Sequence, residues 1–395
     1  MWVDRQIEGL LRQRAATRPV VALTGARQTG KTSLMRRLFP HHGFVTLDLP
    51  SEAEQAEREP ATFLARHPPP VVIDEVQYAP GLFRHLKVAV DRERESAGAF
   101  LLTGSQPLGL MQSVSDSLAG RVAVVELEPL SFAEAKTAHP DLTVEQFLVR
   151  GGFPELFSNR EIDAEGFLRS YVATYLERDL RQLLQVARLR DFERFLRAAA
   201  LRTAQLLNRA DLARDAGVAG STAGAWLSAL EASHQIMLLE PWFANRTKGL
   251  VKRPKLYLRD AGLAAFLCGV HTADELAASP LAGPLWETLV CSEIRRAQMN
   301  RRGSWDLHFW GDRTREADFL LHRAGTFHLA DAKWTEHPDR RDAAGLRRIA
   351  RELPEGAVRS MSIFCRAPNS YPLEAGTYGA RAVRPGGPEA LADWT

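Results

Sequence analysis

Residues 25–32 read Gly25-Ala26-Arg27-Gln28-Thr29-Gly30-Lys31-Thr32, with Ser33 next. This is the GxxxxGK[ST] spacing of a phosphate-binding loop. The stretch lies between the apolar run VVALTG (20–25) and a helix predicted from Lys31. Glycines there let backbone N–H groups curl around phosphates at a helix N-terminus, where the dipole favours anions. Lys31 offers a point charge to the β- and γ-phosphates, and the Thr32 hydroxyl is a ligand for Mg2+. In the run Val71-Val72-Ile73-Asp74-Glu75, Asp74 ends an apolar strand and joins the magnesium shell. Glu75 is then placed to polarise an attacking water. A further apolar run, AFLLTGSQ, ends in Ser105 and Gln106, and either could orient that water and the γ-phosphate. These residues point to ATP, Mg2+ and hydrolysis.

A second set could do different chemistry. Side chains two apart on a strand share a face, so Asp331 and Lys333 point the same way. A hairpin turn over 323–326 brings Asp318 beside them. Two carboxylates and a lysine suit metal-assisted cleavage of a phosphodiester. The competing reading is a surface pair on a core that does not cut.

A third set is basic. Arg246, Lys248, Lys252, Arg253, Lys255 and Arg259 follow one another with no acid between them, the footprint of phosphate contacts to DNA. Two short helices precede them around Gly217, with Asp211 and Ser221 as N-caps and Leu212, Val218, Trp226, Leu227 and Leu230 as the apolar set. Two helices, a turn and a hairpin make a winged-helix arrangement. The second helix, 221–233, holds no Lys or Arg. Contact with DNA would therefore run through the basic wing with little base readout. Packing between modules is the other use of such a unit.

Strand–helix alternation up to about residue 140 implies a parallel sheet covered on both faces. Helices occupy 145–200, the small helical unit and basic hairpin 201–260, and a helix, three strands, a helix and a strand follow from Pro284. The expected units are 1–140, a helical lid or linker at 141–195, 196–275, 276–370 and a tail at 371–395. A chain of 395 residues fits two or three domains. Its 45% hydrophobic and 25% charged content is that of a soluble globular protein. The net charge of +3 leaves any attraction to nucleic acid to local patches. Three distant cysteines form no CxxC pair, which fits a reducing cytoplasm and neither a zinc site nor a disulfide framework. There is no secretion signal and no apolar span for a bilayer, so no membrane is expected.

The phosphate loop, VVIDEVQYAPGLF, LLTGSQ, SLAGRVAVVELEPLSFAE, GGFPE and KRPKLYLRDAG together resemble a prokaryotic family of AAA-type ATPases. Its members carry a C-terminal domain of unknown function with a nuclease-like core. The resemblance runs from about residue 5 to 365. It implies an α/β P-loop module of AAA type, a helical and winged-helix middle, and a restriction-endonuclease-like C-terminal α/β domain. Within it, Arg121 of SLAGR stands where an arginine finger could offset charge on a γ-phosphate, often in a neighbouring copy and hence a homo-oligomer. A helix-capping role or a pair with Asp116 is the plainer use. The resemblance also makes Glu287 a metal ligand beside Asp318 and Asp331, the last where relatives often carry Glu. Two functions follow: an ATPase with a DNA-binding, nuclease-like region, or an ATP-dependent switch whose nuclease-like core is inactive.

Overall fold

The computed structural model describes residues 2–93, 96–105, 118–176, 189–243, 253–300, 305–311 and 316–373, and the backbone of 383–386. Gln106, Asp116, Arg246, Lys248 and Lys252 lie outside the described residues. The N-terminal region runs α1 (Glu8–Ala15), β1 (Val20–Thr24), α2 (Lys31–Leu38), β2 (Gly43–Thr46), α3 (Pro50–Arg58), α4 (Pro60–Arg66), β3 (Val71–Asp74), α5 (Leu82–Arg92), β4 (Phe100–Gly104) and β5 (Val122–Glu126). The strands form one parallel sheet in the order β2-β3-β4-β1-β5. β1, β3 and β4 are buried at every position, which explains their unbroken apolar runs. Alternation divides them between two cores. Val20, Ala22 and Ile73 face Phe63 and the α5 side chains Phe83 and Leu86, whereas Val21, Leu23 and Val72 face Leu11 of α1 and Leu34 and Met35 of α2.

The middle region continues with α6 (Phe132–Ala138), α7 (Val144–Arg150), α8 (Pro154–Ser158), α9 (Ala164–Tyr171) and α10 (Leu189–Ala200). Ser131 with Glu134, and Thr143 with Gln146, form capping boxes that start α6 and α7. Then come β6 (Gln205–Leu206), α11 (Arg209–Ala216), α12 (Gly220–Ala232), β7 (Ile236–Leu239) and β8 (Lys255–Leu258), the strands pairing antiparallel in the order β6-β8-β7. Trp226 of α12 meets Phe192 and Phe195 of α10 edge-on, with centroids 5.3 and 5.2 Å apart. Gly217 ends α11 in the left-handed conformation (φ 68°) that a residue with a side chain adopts reluctantly. The expected caps shift. Asn208 caps α11 in place of Asp211, accepting from the Ala210 and Asp211 N–H groups, and α12 begins one residue before Ser221 without a side-chain cap.

The last region holds α13 (Ala261–Leu267), α14 (Ala273–Ala278), α15 (Ala282–Met299), β9 (Asp306–Gly311), β10 (Glu316–Arg323), β11 (Thr326–Ala332), α16 (Ala344–Ala350), β12 (Val358–Phe364) and β13 (Val383–Gly386). Its sheet, β13-β12-β11-β10-β9, is antiparallel across β9, β10 and β11 and parallel across β11, β12 and β13. α15 is buried around most of its circumference, from Trp286 to Arg296. One hydrophobic core contains Leu130, the middle helices, β7, β8, α15 and the Phe319 face of the last sheet, so no core boundary falls near residue 275. Among the described residues, no helix is long and apolar enough to cross a membrane.

Candidate functional site

β1 ends at Thr24 between β4 and β5, and the phosphate loop leaves from there. Gly25 adopts φ +144°, and a Cβ on it would lie 2.2 Å from the Leu127 carbonyl oxygen, so the close approach admits only glycine. Gly30 (φ 89°) opens α2. The Lys31 ammonium is buried and donates to the Gly25 and Ala26 carbonyls at 3.1 and 2.8 Å, while Thr29 Oγ1 donates to the Ala26 carbonyl at 2.9 Å. Arg27 and Gln28 are half-buried, and Ser33 is exposed on the first turn of α2. One support was not legible in the motif. Arg5, only 8% exposed, donates to the Thr29 carbonyl at 3.1 Å and to the Glu128 carbonyl at 2.6 Å, and so ties the loop to the segment after β5.

Asp74 closes β3 opposite the loop. Its Oδ1 accepts from Thr32 Oγ1 at 2.7 Å and from Thr103 Oγ1, and its Oδ2 accepts from Thr46 Oγ1 at 3.2 Å. Thr32 and Asp74 in hydrogen-bond contact are a hydroxyl–carboxylate donor pair suited to Mg2+, so this arrangement fits that ion. Glu75 sits in the left-handed region (φ 53°). Its N–H donates to Thr103 Oγ1 at 3.2 Å, and its Oε2 accepts from Ser105 Oγ at 3.1 Å and from the Gln77 amide. Because β4 lies between β1 and β3, its last residues meet both acids. Sequence reasoning named Thr32 and Ser105 and missed Thr46, Thr103 and Gln77. The available signal was a hydroxyl residue at the C-terminal end of each neighbouring strand.

Arg121 is elsewhere. It precedes Val122, which pairs with Val20, so it stands at the opposite end of β1, roughly 16 Å from the loop at ~3.3 Å per residue. It forms a two-pronged pair with Asp91 of α5 at 2.7 and 2.9 Å, in place of the expected Asp116. A finger onto the phosphate loop of its own chain is thereby excluded.

The segment after β5 is a junction. Glu126 and Glu128 both form ion pairs with Arg259, just past β8, and accept from Arg295 of α15 at 2.9 and 2.8 Å. Burial pushes the Glu126 carboxyl up, but His234, Arg259 and Arg295 outweigh it and hold it well below the ordinary range. Asp260 accepts from the Gly152 N–H at 2.8 Å, the Gly152 carbonyl accepts from the Leu130 N–H at 2.6 Å, and Pro154 lies against Gly30. Thus GGFPE, LRDAG, VELEPL and the phosphate loop, scattered in sequence, touch one another.

The C-terminal acids also converge, in a way that corrects two expectations. The Asp318 N–H donates to Asp331 Oδ1 at 3.1 Å, Asp318 Oδ2 accepts from the Ala332 N–H at 2.9 Å, and Lys333 Nζ lies 3.9 Å from Asp331 Oδ2. Lys255, read as an exposed wing cation for DNA, is instead 3% exposed and bonded to Glu287, Glu316 and Asp318. Arg259 is likewise buried, at the junction; Arg253 alone of the described basic run is exposed. The metal assignment of Glu287, Asp318 and Asp331 does not fit either. Among the described residues, no group of three acid, His or Cys donors is arranged to hold a metal ion. Burial and the charge of Asp318 push the Glu287 carboxyl up to about 8 and that of Asp331 up to about 7.

Residues 17–136 match the family model described as an AAA domain, and 282–380 the one described as a domain of unknown function (DUF4143). Residues 142–274 match a further domain of unknown function, DUF8612. Over 297 residues the chain is 35% identical to the uncharacterized proteins Rv2008c of Mycobacterium tuberculosis and Mb2031c of Mycobacterium bovis. The match takes in 74% of this chain and 66% of each relative, just under two-thirds of their length. Solved structures with a similar course include the Walker-type ATPase PABY2304 of Pyrococcus abyssi, at 18% identity, covering 67% of this chain and 95% of that one with a TM-score of 0.46. A RuvB variant of Thermotoga maritima matches at 16% identity over 59% of this chain and 88% of its own, with a TM-score of 0.30.

Proposed function

The chain belongs to the AAA-type P-loop ATPases with a DUF4143 region at the C-terminus, and on that premise we propose that it binds ATP with Mg2+ and hydrolyses it. The contact of Thr32 with Asp74 across the loop carries this reading. Lys31 then holds the β- and γ-phosphates, and the N–H groups at the start of α2 complete the cradle. When bound, Mg2+ supplies charge neutralisation on the phosphate oxygens, with Thr32 and Asp74 as its protein ligands. Glu75 takes the proton of the attacking water, and Ser105, already bonded to Glu75, orients it. In a nucleotide-binding assay, Lys31→Ala should bind no ATP. Glu75→Gln should bind normally and turn over roughly 10²–10⁴-fold more slowly, the usual share of a general base. Wild-type turnover in Glu75→Gln would remove the glutamate from this role.

The junction favours the switch over the nuclease for the remainder of the chain. Gly25 touches Leu127, and the acids on either side of Leu127 hold Arg259 and Arg295, so a shift of the loop with nucleotide reaches β8 and α15 directly. Contact with DNA is retained in this reading only as a surface property of Arg253. Protection of α15 amides from hydrogen exchange should change between ATP and ADP. Identical protection in both states would confine the nucleotide's effect to the N-terminal sheet.

A further inference from the structure

β8 is buried along its whole length, and its first residue reaches carboxylates on two other elements. Lys255 Nζ lies 2.9 Å from Glu287 Oε1 on α15 and 3.2 Å from Asp318 Oδ1 on β10, and it also pairs with Glu316. The Phe309 ring of β9 lies 5.7 Å away. Tyr257, two residues along the same face of β8, donates to Glu287 Oε1 at 2.5 Å. A buried ammonium survives only where opposite charges surround it. Burial works against the charged form here, yet Glu287, Asp318 and Glu316 together hold Lys255 charged above its ordinary value. Two further acceptors of the cluster are engaged by backbone: Asp318 Oδ2 by the Ala332 N–H and Asp331 Oδ1 by the Asp318 N–H.

A restriction-endonuclease-like core gathers its acids around a divalent ion, and an ion of that kind needs six or so oxygens converging on one point. Here the point of convergence is an amino group. We propose that Lys255 is the resident cation of this cluster: the middle region lends the C-terminal core a lysine where the fold would otherwise collect a divalent metal. The lysine keeps the core metal-free and ties β8 to β10 and α15. This goes beyond ATP hydrolysis and does not depend on it.

The test is a titration of nucleotide-free protein with Mn2+, followed by electron paramagnetic resonance and calorimetry. The wild type should bind no Mn2+ in the micromolar range. Lys255→Met keeps the stem and removes the charge, and it should gain one Mn2+ per chain, lost again in Lys255→Met/Asp318→Asn. A wild type that binds Mn2+ through Asp318 overturns the proposal, and so does a Lys255→Met chain that is folded by circular dichroism yet binds none. If Lys255→Met does not fold, the wild type and Lys255→Arg carry the test. Both should remain free of Mn2+, and an ion bound by either one and lost on adding Asp318→Asn overturns the assignment.

Discussion

Asp74 and Asp318 are both buried aspartates lying among other acids and hydrogen-bonded by their neighbours. What separates them is the chemistry of those neighbours. Around Asp74 the side-chain partners are hydroxyls, from Thr32, Thr46 and Thr103, which can turn aside or share a ligand. Around Asp318 the partner is a lysine ammonium, a full charge that occupies the place of a cation. Acids at a strand end therefore say little about metal chemistry until the donors facing them are known, and those donors come from elements far away in sequence.

The largest expected effect tests that difference directly. Asp74→Asn should lower ATP turnover by roughly 10²–10³-fold, the usual loss for one preorganised electrostatic group, whereas Asp318→Asn should leave turnover at the wild-type rate. Comparable loss in both would erase the distinction. Next, Arg259→Ala leaves Glu126 and Glu128 short of a buried partner and should cost about 3–5 kcal/mol, read from denaturant unfolding. An unchanged midpoint would mean that Arg295 and His234 suffice at the junction.

A smaller effect appears with pH. Asp331 holds its proton in the folded chain at pH values where the unfolded chain has released it. Its contribution to stability is thus fully present below the ordinary aspartate range and declines as pH rises from about 4 toward 7. The slope is at most about 1.4 kcal/mol per pH unit. Asp331→Asn should flatten the decline relative to the wild type in thermal melts taken across this range; parallel profiles would place that proton elsewhere. The smallest effect is that of Arg121→Ala. The pair with Asp91 is partly exposed, so melting should drop less than for any variant above, and specific activity should stay independent of protein concentration. Turnover that rises with concentration and collapses in Arg121→Ala would restore the finger in trans.

The nucleotide site was legible because each of its motifs is contiguous and strand-flanked: GxxxxGK[ST] needs eight adjacent residues, and VVIDE needs five. Thr103 escaped because its role depends on β4 lying between β1 and β3, an order that no local pattern encodes. Lys255 was misread for a related reason. A run of six basic residues reads as a solvated wing, yet KLYL alternates Lys255 and Tyr257 on one face against Leu256 and Leu258 on the other. Two polar groups on one face of an otherwise apolar strand were the clue that this strand is buried against acids. The pairing of Asp331 with Lys333 and the hairpin that adds Asp318 followed from the period of two, and the structure brings these residues together as that period requires.

The core that runs unbroken from Leu130 to Phe364 has an evolutionary consequence. Recombination that severed the chain near residue 275 would strip α15 of the helices that enclose it and leave Trp286, Leu289 and Ile294 in water. Exchange at the C-terminus can therefore succeed only in a large block, inherited from about Leu130 onward. The acids that meet Arg259 and Arg295 lie just upstream of that block, on the partner it would have to keep.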